Sequence, residues 1–118
     1  MPNKKQQMAR LFHAMGDKTR LGIVERLTRG PATVSDLSRG ASMALPSFLQ
    51  HLNLLEDCSL IRSEKIGRVR MCRLEPKVLS AAENWIESQR LTWANRLDAL
   101  EDYVAKKMRQ NQRTNDRD

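Results

Sequence analysis

The chain has 118 residues, 40% of them hydrophobic and 30% charged, which is enough for one domain with its own core and too little for two. Its 21 Lys and Arg against 14 Asp and Glu leave a formal charge of +7, a balance that favours polyanionic partners. No apolar run approaches the roughly 20 residues of a membrane span, and the N-terminus MPNKKQQMAR lacks a signal-peptide core, so the expected compartment is the cytoplasm.

From Lys5 to Met15 the apolar residues Met8, Leu11, Phe12 and Met15 recur at helical spacing, and Gly16 closes the segment. Asp17 stands where an N-cap belongs. The second helix, carried by Leu21, Ile23, Val24 and Leu27, is stopped at Gly30-Pro31. Thr33 caps a short third helix, with Val34 and Leu37 inward and Asp36 near its positive end. Gly40-Ala41-Ser42 is a turn.

The fourth helix begins around Ala44 to Pro46, because proline suits a first helical turn, and runs to about Asp57. Phe48, Leu52 and Leu55 form its buried stripe. The opposite face shows Pro46, Gln50 and Asn53, flanked by Ser47 and Leu49. Leu60 to Lys65 and Val69 to Leu74 read as two strands joined at Ile66-Gly67-Arg68. Pro76 opens a last helix expected to reach Lys107, with Trp93, Leu97, Leu100 and Val104 spaced as a helix-packing seam.

The expected fold is therefore mainly α with a small β-hairpin: four helices, two strands and a long fifth helix, the order of a winged helix-turn-helix. Residues 1–108 make up the expected DNA-binding and dimerisation domain. The polar end RQNQRTNDRD, residues 109–118, is expected to be a disordered tail.

Four segments carry a family resemblance: LFHAMGDKTRLGIVERL from Leu11, TVSDL from Thr33, LPSFLQHLNLLED from Leu45 and LIRSEKIGRVRMCRLEP from Leu60. In order and spacing they resemble the ArsR/SmtB family of bacterial winged-helix transcriptional repressors, over Leu11 to about Tyr103. The resemblance implies a homodimer joined through its first and last helices. It also implies a fourth helix in the major groove and a wing on the backbone or minor groove. Carried onto this chain, those roles fall to Ser47, Gln50 and His51 in the helix, and to Lys65, Arg68 and Arg70 in the wing. His51 matches the family's HL pair and is expected to contact phosphate.

The departures from the family narrow the reading. Its metal site on the third helix uses a Cys-Val-Cys run, and the matching positions are Thr33 and Ser35. Its other site places Asp, His and Glu along the last helix, and Pro76 to Lys107 contains no His. The resemblance thus implies a repressor without implying a metal or another cofactor. Ser59 stands where the family has Gly, and a positive φ there would carry strain.

The chemistry of the residues agrees with a DNA surface. Arg62, Lys65, Arg68, Arg70 and Arg73 crowd the hairpin, and such cations neutralise phosphates, although charged edges also protect isolated sheets. Arg68, beside Gly67, is placed to reach a narrow minor groove. Gln50 can pair with adenine N6 and N7, Ser47 can reach a phosphate or base edge, and Leu49 suits a thymine methyl. A symmetric dimer would cover Leu11, Phe12 and Met15 on the first helix and the Trp93–Val104 seam on the last.

Other classes stand beside this one. Cys58 and Cys72, too few for a disulfide framework, could serve a thiol- or metal-responsive sensor. The fold could also be a protein-binding module without DNA affinity. An enzyme is not expected, since no Ser-His-Asp set, paired catalytic carboxylates or phosphate-cradling glycine loop is found.

Overall fold

The computed structural model describes residues 3–116. Five helices and three strands follow in the order α1 (Lys4–Met15), α2 (Lys18–Leu27), β1 (Ala32–Thr33), α3 (Val34–Arg39), α4 (Leu45–Asp57), β2 (Ile61–Ile66), β3 (Val69–Leu74) and α5 (Pro76–Asp116). This is a winged helix-turn-helix, with β2 and β3 as the wing. Among the described residues no helix is long and apolar enough to cross a membrane.

Helix starts follow capping chemistry. Asn3 and Gln6 form a reciprocal capping box at α1. Asp17 Oδ2 accepts the Arg20 amide at 3.1 Å, and Thr33 Oγ1 accepts the Asp36 amide at 3.1 Å. Each such bond satisfies an amide that has no partner inside the helix. No side chain caps α4, which starts instead with Pro46 in its first turn, where a missing N–H costs nothing.

The described residues up to Ala82 form one compact unit. Its core gathers Leu11 and Ala14 from α1, Ile23, Val24 and Leu27 from α2, and Leu37 from α3. Phe48, Leu52 and Leu55 from α4 join them, with Leu60, Ile61 and Cys72 beneath the wing. The α4 stripe is buried as its spacing predicts. Leu11, expected at the dimer surface, is only 2% exposed in the single chain. Periodicity identified the apolar face of α1 but not what covers it. Phe12 and Met15 remain half-buried.

The sheet has the order β1-β3-β2 and is antiparallel throughout. β1 is a second difference from the expected hairpin. It pairs Ala32 with Cys72 and Thr33 with Met71, and two residues are too few to show a strand's alternation. The wing turn holds two residues, not three: Ile66 pairs with Val69, and Gly67 has φ 63°, as a type II′ turn requires of its first central residue.

The end of α4 is fixed by a Schellman arrangement. The Leu60 amide donates to the Leu55 carbonyl at 3.1 Å and the Ser59 amide to the Glu56 carbonyl at 2.9 Å. Ser59 takes φ 62°, the left-handed conformation that glycine would adopt without Cβ strain.

Residues from Glu83 onward belong to a second unit. Here α5 stays helical to Asp116, past the expected end at Lys107 and through the segment expected to be disordered. No Gly or Pro lies between Lys77 and Asp116 to stop it. Arg117 and Asp118 of the expected tail lie outside the described residues. Trp93, Leu97, Leu100 and Val104 are all exposed, Trp93 at 69%.

Candidate nucleic-acid interface

The buried stripe of α4 determines what its other faces can do. With Phe48, Leu52 and Leu55 inward, Ser47, Leu49, Gln50 and Asn53 are all exposed. Residues four apart stack along a helix, so Leu49 and Asn53 share one strip while Ser47 and His51 share the next. Gln50 faces outward between them. The polar and apolar groups that a base edge can meet thus lie together on one side of one helix.

His51 differs from its neighbours. Its side chain is 21% exposed and its Nδ1 lies 2.9 Å from Nη1 of Arg20 and 3.7 Å from Oδ2 of Asp17. The expected phosphate contact therefore falls on a ring with one nitrogen already engaged. The Arg20 amide, foremost, holds the Asp17 carboxyl below its usual range.

The wing cations divide by their partners. Arg62 is neutralised by Glu75 at 3.3 Å, and Arg70 donates to the Ser63 hydroxyl at 2.9 Å. Lys65 and Arg68 are exposed, with no carboxylate partner among the described residues. Two rungs of the hairpin oppose like charges, Arg62 with Arg73 and Lys65 with Arg70, an arrangement that destabilises a strand pair. Glu75 relieves the first. Among the described residues no carboxylate relieves the second, which lies nearer the tip. Alternation places Lys65 and Arg70 on the same face of the hairpin as buried Ile61 and Cys72, the face that packs on the helices. In this unit α4 packs against β2.

Two participants were not read from the sequence. Glu75 carries no signal beyond its place after β3. Arg20 is buried, whereas an arginine three residues after a cap is ordinarily taken for surface.

Cys58 and Cys72 are both free thiols, and burial pushes each above the ordinary thiol range. Among the described residues no three His, Cys, Asp or Glu converge to hold a metal ion.

Known proteins share this arrangement. A family model described as a helix-turn-helix domain matches residues 15–64. The chain is 38% identical over 72 residues to the HTH-type transcriptional regulator Rv2034 of Mycobacterium tuberculosis, covering 61% of this chain and 67% of that protein. It is 30% identical over 79 residues to the transcriptional repressor SdpR of Bacillus subtilis, covering 67% and 88%. The crystal structure of an ArsR family transcriptional regulator is similar with a TM-score of 0.74 and 44% identity, over 80% of this chain and 97% of that one. The same fold, at 22% identity and a TM-score of 0.60, recurs over 77% of this chain and 91% of a homodimeric winged helix-turn-helix DNA-binding domain from Mycobacterium bovis. By its element order, its exposed α4 face and these likenesses, the chain belongs to the ArsR family of winged helix-turn-helix transcriptional regulators.

Proposed function

We propose that the protein is a homodimeric repressor that binds a pseudo-palindromic operator in double-stranded DNA. In this reading α4 lies in the major groove with Gln50 and Leu49 on base edges and Ser47 and His51 on phosphates. Arg68 at the wing tip reaches the backbone or minor groove, and Lys65 and Arg70 neutralise phosphates beside it. The observation that carries the reading is the uncompensated Lys65–Arg70 rung. Two cations held directly opposite each other cost stability in the free protein, and a phosphate between them turns that cost into attraction.

The dimer is supported by the exposed apolar residues Trp93, Leu97, Leu100 and Val104 of α5. Burying one such side chain is worth about 1.5–3 kcal/mol, so a second copy covering this stripe gains substantially. A symmetric pair presents two recognition helices, and their half-sites are then spaced by one helical turn of DNA or a multiple of it.

Fluorescence anisotropy on a fragment of the gene's own upstream region, with a random duplex as competitor and chelator present, tests the proposal. Tight, salt-sensitive, sequence-preferring binding is expected. Arg68→Ala should weaken binding to every duplex and reduce the salt slope by about 1. An unchanged slope would remove the wing tip from the mechanism. Binding that never prefers the upstream fragment over random DNA would bring forward a protein-partner role.

A further inference from the structure

Arg20 is the buried charged side chain of the described residues, 8% exposed, and two of its three side-chain bonds go to carbonyls, which can only accept. Its Nε donates to the Ala14 carbonyl at 2.6 Å and its Nη2 to the His13 carbonyl at 3.1 Å. Those carbonyls lie in the last turn of α1, where backbone acceptors run short of intrahelical donors; that of His13 also accepts the Gly16 amide at 3.2 Å. The third arm, Nη1, meets His51 Nδ1 at 2.9 Å.

A guanidinium has no acceptor atom. At 2.9 Å, Nδ1 must therefore offer its lone pair, and the proton of the neutral ring must sit on Nε2. A proton on Nδ1 would set donor against donor and cation against cation. The Asp17 carboxylate lies 3.7 Å from Nδ1, beyond hydrogen-bond length, and accepts the Arg20 amide, so it offers Nδ1 no hydrogen bond in competition with the guanidinium. With Nδ1 engaged by a buried guanidinium, Nε2 is the ring nitrogen left for a partner, and since no buried side-chain nitrogen of the described residues lacks one, it is open to solvent. Ser47 is one turn before it on the same strip of α4.

We propose that Arg20 is a positioning residue for DNA binding, fixing His51 as an uncharged Nε2–H donor aimed from α4 at a backbone phosphate. This rests on the DNA-binding reading of α4. It assigns His51 a role unlike that of the wing cations. A neutral donor displaces no counterion, so His51 sets the orientation of α4 on the duplex without adding to the salt dependence. The same guanidinium ties the end of α1 to α4, so the donor's aim is set by how α1 ends.

Two measurements on the full chain test it separately. Long-range nitrogen–proton correlation spectra of the labelled free protein read the tautomer directly, with His13 as the second histidine for comparison. His51 should show an unprotonated Nδ1 and a protonated Nε2 at neutral pH, and a protonated Nδ1 would overturn the proposal whatever the DNA results. Anisotropy on a duplex then compares His51→Gln, whose amide nitrogen reaches the Nε2 position, with His51→Asn, whose amide nitrogen reaches only that of Nδ1.

His51→Asn should lose affinity about tenfold, as expected for one hydrogen bond to a charged group. His51→Gln should recover most of that loss, and both should keep the wild-type salt slope. A reduced slope would mean a charged histidine and would overturn the proposal. Equal losses would also overturn it, because the contact would not run through Nε2. Unchanged binding in both variants, with the expected tautomer, would instead show that His51 does not touch DNA, and the DNA reading of this residue would fall. Arg20→Lys, checked for folding by circular dichroism, should lose the single tautomer and bind as weakly as His51→Asn. Retention of both properties would show that Arg20 does not position the ring. If that variant does not fold, the wild-type spectrum and the two His51 variants decide.

Discussion

Lys65 and Arg70 stand directly opposite each other across the wing with no carboxylate among the described residues paired to either, while the equivalent clash of Arg62 with Arg73 is relieved by Glu75. In the proposed DNA-binding reading, stability and function are set against each other at that rung. Lys65→Glu should therefore raise the unfolding free energy by about 0.2–1 kcal/mol while weakening duplex binding and lowering its salt slope by about 1. Urea denaturation and anisotropy on the same preparation give both numbers. A variant that loses stability together with DNA affinity would show that the rung is not strained.

Gln50 projects from the outward face of α4, remote from the Phe48–Leu52–Leu55 stripe, so its loss should not disturb the core. Gln50→Ala should cost about 1–3 kcal/mol on the preferred operator and relax the base preference there. Competition between operator and random duplex separates the two effects. If both duplexes lose affinity equally, α4 is not the reader of sequence.

Ser59 holds φ 62° where the Schellman turn closes α4. A left-handed conformation costs an L-residue about 1–2 kcal/mol, and glycine gives part of that back as unfolded-state entropy. Ser59→Gly should then stabilise the protein by about 0.5–1 kcal/mol, visible as a higher midpoint at an unchanged denaturant slope. An unchanged midpoint would show that the Ser59 backbone is not strained.

Asp17 caps α2, and the Arg20 amide holds its carboxyl below the usual range. With the folded pKa lower than the unfolded one, the unfolded chain takes up the proton first. The cap's contribution is complete above the unfolded value of about 3.9 and is lost as pH falls from there through the folded value. Asp17→Asn keeps a capping oxygen but does not titrate. Its stability should fall less steeply than wild type below about pH 4, as read from urea midpoints at successive pH values. Parallel limbs would remove Asp17 from the acid response.

The sequence disclosed those features whose cause is local. Phe48, Leu52 and Leu55 declare a buried stripe by spacing, Gly67 declares a turn, and Asp17 and Thr33 declare helix starts, each within a few residues of the atoms that matter. Ser59 drew attention only because a family resemblance sets glycine at its position. What stayed hidden depends on chain neighbours far apart in sequence. Ala32 and Thr33 become a strand only because Met71 and Cys72 come alongside. Arg20 is buried because the end of α1 offers it two carbonyls and α4 offers it a ring nitrogen. Leu11 lies on an apolar face that could serve a core or a partner equally, and only the packing of its unit assigns it to the core. At the other end, polar composition suggested disorder for residues 109–118, whereas the lack of any helix breaker lets α5 run on to Asp116. On the candidate site, the sequence offered the α4 and wing residues as candidates for DNA. It did not name Arg20, which bonds His51, or Glu75, which pairs with Arg62.

Thr33 performs two tasks at once, capping α3 with its hydroxyl and pairing with Met71 through its backbone. The hairpin and the helix-turn-helix are thereby fastened at a shared residue, and no hinge can open between them without breaking a cap and a ladder bond together. In the proposed reading, the span from α4 to the wing would then act as a fixed calliper. A duplex whose grooves do not match that span has to bend or narrow to fit, at an energy that depends on its own sequence. Base pairs that no side chain reaches would then be discriminated by their stiffness.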